Sequence, residues 1–414
     1  MSREFDVVIV GAGPVGSVMA GLLLARHLVS PGRVAVLTEH ITPPVAKAAA
    51  ERADHAWGLR VFALSRASQR LLRLCGVWRN LPTELVFPYE RMCVWDESGA
   101  PQGRGSLTFD CAELGEPDLG FIVDGGALQS SCLAAAVAAG AVLVESAVQS
   151  IGVNEGGVQV ALADQRELGA RLLIAADGAA SRTRALLGVA TAGHAYHQDA
   201  LVAHVRTAQP HRSTAWQRFL PTGPIAMLPL SDGRSSIVWS VSREESERLR
   251  ALDARQFAAA VFRASGGVLG DIELTTAIAG FPIQLQYALD YVRPRAALIG
   301  DAAHSVHPLA GQGLNLGFLD CASLAEALSD AGTPSALGEY APLRRYERRR
   351  KSENLLAAAA FDGLERLFSS SKPGLARLRA AGLGAVGSVP FAKKTLAKRA
   401  LGIGGDVPAF VKEP

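Results

Sequence analysis

The residues best suited to chemistry are concentrated in one stretch, GDAAHSVHPLAGQGLNLGFLD, at positions 300–320. It holds two histidines, two aspartates and four glycines in 21 positions. His304 and His307 could bind a metal together with the carboxylates, or transfer protons. Pro308 and the glycines prevent a helix that would present both imidazoles together, however, and no HExxH motif occurs. We therefore predict no metal site, and we retain His304, His307 and Pro308 as candidate catalytic residues.

The same stretch also has the pattern of a loop around a bound cofactor. AALIG (296–300) predicts a buried strand, and Asp301 directly after it can accept a hydrogen bond from a polyol or ribityl hydroxyl. GQGLN (311–315) then begins a predicted helix, and the free N–H groups of a helix start stabilise negative charge on a bound ring. The glycines are therefore at least as informative as the histidines.

GAGPVG (11–16) matches the dinucleotide-binding pattern GxGxxG. Gly11 permits the tight turn after a strand, Gly13 lets the main chain approach a pyrophosphate, and Gly16 lets helix and strand pack closely. Glu39 ends the next predicted strand, where an acidic side chain can bind ribose hydroxyls. Because strand, helix and acid occur in order, we predict a site for the adenosine part of FAD or NAD, without a 2′-phosphate.

Three further places are ambiguous by themselves. AADGAASRTR (175–184) predicts a turn at Asp177 and Gly178, followed by arginines that could contact phosphate, but an ordinary Asp-Gly turn is the alternative. Arg60 could equally be a solvated arginine, and the same caution applies to Gln129. Each of these places supports a cofactor site only in combination with the other motifs.

The elements that must position these residues form one nucleotide-binding unit that is interrupted by a second sheet. Strands are predicted at 5–10, 33–39, 158–162 and 171–175, and helices at 17–29, 60–77, 125–140, 314–328 and through the C-terminal third. Residues 196–290 show short alternating segments separated by turns, which is typical of antiparallel sheet. A β-rich domain is therefore expected between two parts of a nucleotide-binding domain.

Composition limits the class of protein. The 414 residues are 49% hydrophobic and carry a net charge of only +3, which argues against nucleic-acid binding and permits a large core. The five cysteines are scattered without a CxxC pair, which suits a reduced, cytoplasmic chain. The N-terminus leads straight into a strand and lacks a signal-peptide pattern.

Taken in order, the three motifs resemble those of the FAD-dependent aromatic hydroxylases, the class A flavoprotein monooxygenases. HPLAGQGLNLGFLD (307–320) is similar to the signature of the ubiquinone-biosynthesis ring hydroxylase family. Segments 59–78, 227–240, 281–292 and 367–383 are also similar to that family, so the resemblance covers nearly the whole chain. It implies an α/β fold like that of p-hydroxybenzoate hydroxylase, with a Rossmann-like FAD-binding domain, an inserted β-rich substrate domain and a helical C-terminal segment.

We place the FAD-binding domain at 1–185 and 293–340, the β-rich substrate domain at 186–292 and the helical segment at 341–414. The resemblance implies FAD contacts by Gly11, Gly13, Pro14, Gly16, Glu39, Arg60, Gln129, Asp177, Gly178, Gly300, Asp301, Pro308, Gly311, Gly313, Leu314 and Asn315. Gly58 departs from the pattern, because some family members have aspartate there. This departure leaves the hydroxylated ring position open.

The reaction that the resemblance implies is hydroxylation of a (poly)prenylated phenol in ubiquinone biosynthesis. NAD(P)H would reduce FAD, and a flavin C4a-hydroperoxide formed with O2 would deliver one oxygen atom to the ring. Two alternatives stay open: a hydroxylase of another soluble aromatic or pigment precursor, and a flavin-binding scaffold in a quinone-synthesis complex. Monomer and homo-oligomer are both compatible with the sequence.

Basic segments mark the C-terminal part of the chain, at RRYERRRK (344–351) and in FAKKTLAKRALG (391–402). The simpler interpretation is that they are solvated helix faces. The alternative is peripheral docking at the anionic inner face of the membrane.

Overall fold

A computed structural model describes residues 3–40, 57–103, 105–306, 311–332, 334–368, 390–402 and 404–412. Two predicted site residues, His307 and Pro308, lie outside the described residues. Most of the segment 367–383, which contributes to the family resemblance, lies outside them as well.

The sheet that carries the GAGPVG motif is parallel except at one edge. Its strands are, in spatial order, Val292–Arg293, Ala296–Leu298, Leu172–Ala175, Val7–Val10, Val34–Thr38 and Val142–Glu145. These short runs are rich in Val, Leu and Ile because a parallel sheet is covered on both faces. The strands predicted at 5–10, 33–39 and 171–175 are therefore confirmed, with slightly shorter bounds.

Each face of this parallel sheet packs in a separate apolar core. One face lies against the helices Pro14–Ala25, Gly125–Ala138 and Gly313–Ser329. The other face lies against a smaller sheet of strands Arg3–Glu4, Glu167–Ala170, Val158–Leu162 and Val148–Val153. The helices predicted at 125–140 and 314–328 are thus confirmed, and the helix predicted at 17–29 is found at Pro14–Ala25, because it begins within the glycine motif and ends before 26–29. Together with the parallel strands these helices form a Rossmann-like unit.

The second large element, here called the large sheet, is mostly antiparallel. Its described strands are, in spatial order, His304–Ser305, Ala279–Ala288, Thr191–Thr207, Ser235–Ser242, Ile225–Pro229, Thr214–Phe219, Arg91–Asp96 and Ser106–Asp110, with Ile272–Leu274 beside Thr191–Thr207. The antiparallel sheet predicted within 196–290 is confirmed. Two of its strands come from 91–110, inside the range assigned to the first FAD-binding part, and the domain boundaries stay a prediction.

The two faces of the large sheet differ because side chains alternate along a strand. Leu201, Ala203 and Val205 point to one face and pack against the helices Arg243–Arg250 and Ala254–Ser265. Those helices interrupt the region predicted as sheet, and Ser242 and Asp253 cap their N-termini, as short polar residues do at helix starts. The opposite face is turned toward the parallel sheet.

The predicted helix 60–77 is wrong in its first part. Val61–Leu64 is a strand, and it pairs antiparallel with Gly120–Asp124, which also pairs with Val86–Tyr89. The helix covers only Arg66–Leu74, and the Ser65 side chain caps it by accepting a hydrogen bond from the Ser68 N–H. The apolar run VFAL was compatible with either structure, and pairing with a distant strand decided it.

The C-terminal part is helical where it is described. Helix Tyr340–Phe368 packs beside Gly313–Ser329, and the Tyr346 hydroxyl donates to the Leu298 carbonyl oxygen over 2.7 Å. A second helix, Pro390–Ala400, follows the undescribed segment. Within the described ranges, no helix is both long enough and apolar enough to span a bilayer. Short helices complete the described elements: Cys111–Leu114 and Arg182–Leu186, and the 3₁₀ turns Trp78–Asn80, Thr83–Leu85, Gly300–Ala302, Pro334–Gly338 and Ala409–Val411.

Candidate active site

A cavity of about 650 Å³ separates the carboxyl ends of the parallel strands from the open face of the large sheet. The predicted site residues that line it are Gly13, Pro14, Arg60, Gln129, Gly178, Asp301, Gly311, Gly313 and Leu314. The other described site residues do not line it: Gly11, Gly16, Glu39, Asp177, Gly300, His304 and Asn315. Ligands of open α/β sheets bind outside the strand carboxyl ends, so the cavity occupies the expected place.

The GAGPVG turn has the form that a pyrophosphate requires. Gly11 has φ +113°, and a Cβ there would lie 2.3 Å from the Ala176 carbonyl oxygen. A Cβ on Gly16 would lie 2.0 Å from the Gly11 carbonyl oxygen. A Cβ on Gly13 would meet no atom within 4 Å, because this residue faces the cavity at the N-terminus of helix Pro14–Ala25. Two glycines therefore permit close packing, and the third leaves open space beside a helix start suited to phosphate.

Asp301 lies in the same cavity wall as this turn, since a Cβ on the preceding Gly300 would lie 3.1 Å from the Val15 side chain. It follows strand Ala296–Leu298, and φ +57° at Gly300 turns the chain there. Its side chain faces the cavity, yet the surrounding protein desolvates it, which raises the pKa of its carboxyl, while His304 and Arg60 act in the opposite direction. A carboxyl in this position can accept hydrogen bonds from a polyol chain.

The remaining predicted cofactor-binding side chains are those of Arg60, Gln129 and Glu39. Arg60 is exposed, and its guanidinium lies 4.9 Å from the centre of the Phe62 ring. Gln129 lines the cavity from helix Gly125–Ala138. Glu39 is exposed directly after strand Val34–Thr38, outside the cavity lining. Arg60 and Gln129 therefore line the same cavity as Gly13 and Pro14 at the start of helix Pro14–Ala25, whereas Glu39 does not.

The turn at Asp177 is organised by its own hydrogen bonds. The Asp177 carboxylate accepts from the Ser181 hydroxyl and from the Thr183 N–H, which is 2.9 Å away. Arg184 is buried, and it donates to the carbonyl oxygens of Ala179 and Ala302. Arg184 therefore ties this turn to the Asp301 turn, and a role in binding phosphate does not fit its contacts.

The opposite wall belongs to the β-rich region that was expected to form the substrate domain, but its individual residues were not identified in the sequence. It consists of alternate residues of the large sheet, among them Ala200, Val202, Ala226, Leu228, Ser236 and Val238. These residues are small or apolar, so this wall can accept an apolar, ring-shaped ligand and exclude water. The alternation in SSIVWSVS (235–242) was the available signal, but it could not tell which face is turned to the cavity.

Comparison with known proteins agrees with this geometry. The family described as FAD binding domain matches residues 131–356. The chain is 33% identical to the 3-demethoxyubiquinol 3-hydroxylase of Escherichia coli, over 97% of this chain and 100% of that protein. It is 34% identical to the human mitochondrial ubiquinone biosynthesis monooxygenase COQ6, over 95% of this chain and 91% of that protein.

The chain belongs to the FAD-dependent monooxygenases of ubiquinone biosynthesis. Its fold is also that of p-nitrophenol 4-monooxygenase PnpA from Pseudomonas putida, with a TM-score of 0.75 at 19% identity over 98% of this chain and 100% of that one. The predicted fold class is therefore confirmed.

In this monooxygenase, His304 belongs to a buried network behind the cavity wall. One oxygen of Asp320 accepts from His304 Nε2 at 2.6 Å and from the Gly300 N–H at 3.0 Å. The other oxygen accepts from Arg350 and Asn354. Burial alone would raise the pKa of the Asp320 carboxyl, but the neighbouring His304 and Arg350 outweigh it and hold the pKa at about 2.

The position of His304 favours a role in holding the Asp301 turn over direct contact with a substrate. Its Nε2 is already engaged by the Asp320 carboxylate at 2.6 Å, and the residue is buried. Its candidate catalytic role stays a prediction, as do the roles of His307 and Pro308. Among the described residues, no group of three His, Cys, Asp or Glu is arranged to hold a metal ion.

Asn315 anchors the start of helix Gly313–Ser329 in the monooxygenase. Its side-chain oxygen accepts from the Ser65 N–H at 2.9 Å and from the Ser68 hydroxyl at 2.6 Å, and its amide donates to the Ala63 carbonyl oxygen. The helix start is thereby fixed against strand Val61–Leu64, while Gly313 and Leu314 stay at the cavity surface. Asn315 therefore acts from behind the lining, through its side chain.

Proposed function

We propose that this chain hydroxylates the aromatic ring of a (poly)prenylated phenol in ubiquinone biosynthesis, with NAD(P)H as electron donor and O2 as oxygen donor. The observation that carries the proposal is the shared cavity, in which glycine turns and Asp301 face an apolar sheet wall. Bound FAD would supply the redox and oxygen chemistry. The protein would supply orientation, a dry pocket and local charge.

Each cofactor contact follows from the residues described above. The open space at Gly13 and the start of helix Pro14–Ala25 suit the pyrophosphate, and Glu39 suits the adenosine ribose. Asp301 is placed to accept hydrogen bonds from the ribityl chain. The main chain at Gly313 and Leu314 offers helix-start N–H groups to the ring system, where they would stabilise negative charge.

The large sheet would orient the substrate. Val202, Leu228 and Val238 present an apolar surface opposite Asp301 and the helix start. An aromatic ring held between the two walls would be shielded from water on both faces, and water exclusion prevents side reactions of reactive species.

Turnover with purified, FAD-loaded protein tests the proposal. A short-chain ortho-prenylphenol should accelerate NAD(P)H oxidation and yield a product heavier by one oxygen atom, labelled when ¹⁸O2 is supplied. NADH and NADPH are compared in parallel to identify the donor. Phenol-stimulated NAD(P)H oxidation without labelled product would contradict the hydroxylase proposal, and absence of both would favour the scaffold alternative.

We further propose that helix Pro390–Ala400 docks on an anionic membrane surface. Phe391 is 82% exposed and Leu396 is 48% exposed, and the helix carries four basic residues and no acidic one. Its C-terminal end packs close to the cavity, since Leu401 shares a cluster with Tyr89 and Met92, which line the cavity. Exposed aromatic and basic side chains together are typical of helices that bind anionic lipid.

Sedimentation of the full-length protein with vesicles tests the docking surface. Vesicles containing anionic phospholipid should bind the protein, and purely zwitterionic vesicles should bind it weakly. Phe391→Asp and Lys394→Glu should each weaken binding about fivefold or more, because one basic contact contributes about 1 kcal/mol. Leu356→Asp is the matched control, since Leu356 is 51% exposed on helix Tyr340–Phe368. Equal losses in the control and the two variants would contradict this surface.

A further inference from the structure

His204 lies on the cavity face of the large sheet, one step beyond the residues already described. Strand Thr191–Thr207 pairs with Ser235–Ser242 so that Ala200 faces Ser240, Val202 faces Val238 and His204 faces Ser236. Paired residues of neighbouring strands project to the same face. The first two pairs and Ser236 line the cavity. His204 therefore occupies the next position on the same face of the sheet, beside Ser236 and directly beyond the cavity lining.

Both members of the last pair are buried polar residues whose side chains are poorly satisfied by the protein. His204 and Ser236 are each 0% exposed. Neither ring nitrogen of His204, nor the Ser236 hydroxyl, makes a hydrogen bond of regular geometry with a described residue, and only the Leu59 main chain acts on the His204 ring as a hydrogen-bonding group. A buried polar group without a good hydrogen bond destabilises a fold, so two such adjacent groups at the edge of a cavity need a physical explanation.

The surroundings of His204 indicate which kind of ligand fits. Desolvation and the nearby Arg234 lower the pKa of His204 to about 4, although Asp232, Asp124 and the Leu59 main chain act in the opposite direction. The ring is therefore neutral at pH 7, with one donor and one acceptor nitrogen. Arg234 is already held by Asp232 through hydrogen bonds of 2.9 and 2.6 Å. Arg234 is the one cation among the described residues that acts on the His204 ring, and it is already engaged, so this end of the cavity suits a neutral hydroxyl better than a carboxylate.

We infer that His204 and Ser236 form the subsite for an un-ionised oxygen substituent of the aromatic ring, a phenolic hydroxyl in a substrate that carries no ring carboxylate. The acceptor nitrogen of His204 takes the hydrogen bond from the phenol, and the Ser236 hydroxyl donates to its oxygen. The inference rests on the proposed function and specifies its substrate class. The two residues set specificity and orientation, and no proton transfer is assigned to them.

Ligand binding to FAD-loaded protein tests this subsite without turnover. The probes are ortho-geranylphenol, geranylbenzene and 3-geranyl-4-hydroxybenzoate, and the readout is the change in flavin absorbance on titration. Wild type should bind the phenol about tenfold more tightly than geranylbenzene, as expected for one well-placed buried hydrogen bond, and more tightly than the benzoate. His204→Leu should bring the phenol-to-benzene ratio close to one, and His204→Gln should restore part of it.

Ser236→Ala and Ser235→Ala form a matched pair of variants. Ser235 is also 0% exposed and unpartnered, but it faces Val205 and so lies on the helix-packed side of the sheet. Ser236→Ala should lower the phenol-to-benzene ratio several-fold without loss of stability, and Ser235→Ala should keep the wild-type ratio. If His204→Leu fails to retain FAD, the comparison of Ser236→Ala with Ser235→Ala still tests the subsite.

Several outcomes would overturn the subsite. One is an unchanged ratio of geranylphenol to geranylbenzene affinity in FAD-loaded Ser236→Ala. Another is tighter binding of the benzoate than of the phenol by wild type. A third is a crystal structure with bound phenol in which the His204 nitrogens contact only water. Labelled product from geranylphenol with any of these results would leave the proposed function standing. Failure of wild type to bind or hydroxylate any of the probes would count against the proposed function itself.

Discussion

The two walls of the cavity are built on different principles. The wall formed by the parallel sheet is made of turns at strand ends, where Gly13, Gly178 and Asp301 present main chain and one carboxylate to the cavity. The wall formed by the large sheet is made of side chains at alternate positions of neighbouring strands, such as Val202 and Val238. The first wall depends on local backbone geometry, and the second depends on register between strands far apart in sequence.

Two buried histidines show the same difference. His304, behind the first wall, is paired with Asp320 and fixes the turn that carries Asp301. His204, beside the second wall, has no side-chain hydrogen-bond partner among the described residues, and only the Leu59 main chain acts on its ring in this way. A cofactor wall must hold one shape, and the Asp320 carboxylate behind it is bonded by His304, the Gly300 N–H, Arg350 and Asn354. A substrate wall can leave a polar pair for its ligand to satisfy.

The strongest test of this contrast is at Asp320. Asp320→Ala should lower the free energy of unfolding by about 3–5 kcal/mol, because it leaves the buried Arg350 and His304 without their carboxylate. Urea unfolding of the two proteins measures the difference. Asp330→Ala is the control, since its ion pair with Arg345 is exposed and should contribute less than about 1 kcal/mol. Similar losses of unfolding free energy in Asp320→Ala and Asp330→Ala would contradict a rigid support behind the cofactor wall.

Substitutions at two glycines of the first wall should affect folding and cofactor binding separately. Gly11→Ala should destabilise the fold by about 1–3 kcal/mol, because φ is +113° and the new Cβ would strike the Ala176 carbonyl oxygen. Gly13→Val should fold normally but lose FAD, because its side chain would fill the space meant for phosphate. Circular dichroism and flavin absorbance of the purified proteins measure the two effects. A yellow, FAD-loaded Gly13→Val protein would refute the assignment of this turn.

Asp301→Asn tests the single carboxylate of the first wall. The substitution keeps the size of the side chain and removes its charge, so FAD affinity should fall about tenfold, as for loss of a charge-assisted hydrogen bond. Fluorescence titration of apoprotein with FAD gives the dissociation constant. Asp290→Asn, at an ion pair with Arg293 away from the cavity lining, should leave that constant unchanged. Unchanged affinity in Asp301→Asn would mean that the ribityl role is wrong.

The smallest predicted effect concerns the pH dependence of stability at His204. In the folded protein the pKa of His204 is about 4, below the ordinary value of 6.5. Its contribution to the free energy of unfolding is therefore complete above pH 6.5 and is lost as the pH falls from 6.5 toward 4. Between pH 6.5 and about pH 5.5, wild type should lose about 1 kcal/mol more unfolding free energy than His204→Gln does. Urea titrations at the two pH values measure it. Parallel curves for the two proteins would show that the buried imidazole titrates normally.

The sequence predicted the first wall far better than the second. GAGPVG, Asp177-Gly178 and Gly300-Asp301 each lie at a strand end, and a buried strand followed by glycine can be recognised within about ten residues. The same reasoning missed the supports of that wall, because Asn315 bonds to Ser65, and Asp320 bonds to Arg350, across long separations. It also assigned Val61–Leu64 to a helix, since only pairing with Gly120–Asp124 makes this segment a strand.

The amino-acid order alone therefore establishes the family and the main-chain turns that would receive a dinucleotide, because these depend on neighbouring residues and on backbone freedom. The tertiary structure decides the composition of the substrate wall. Whether Val202, Ser236 or His204 faces the cavity depends on register, and a shift of one residue would turn each of them to the other face. His204 and Ser236 lie side by side because two strands from different parts of the chain pair in this register, and no local sequence pattern predicts that pairing.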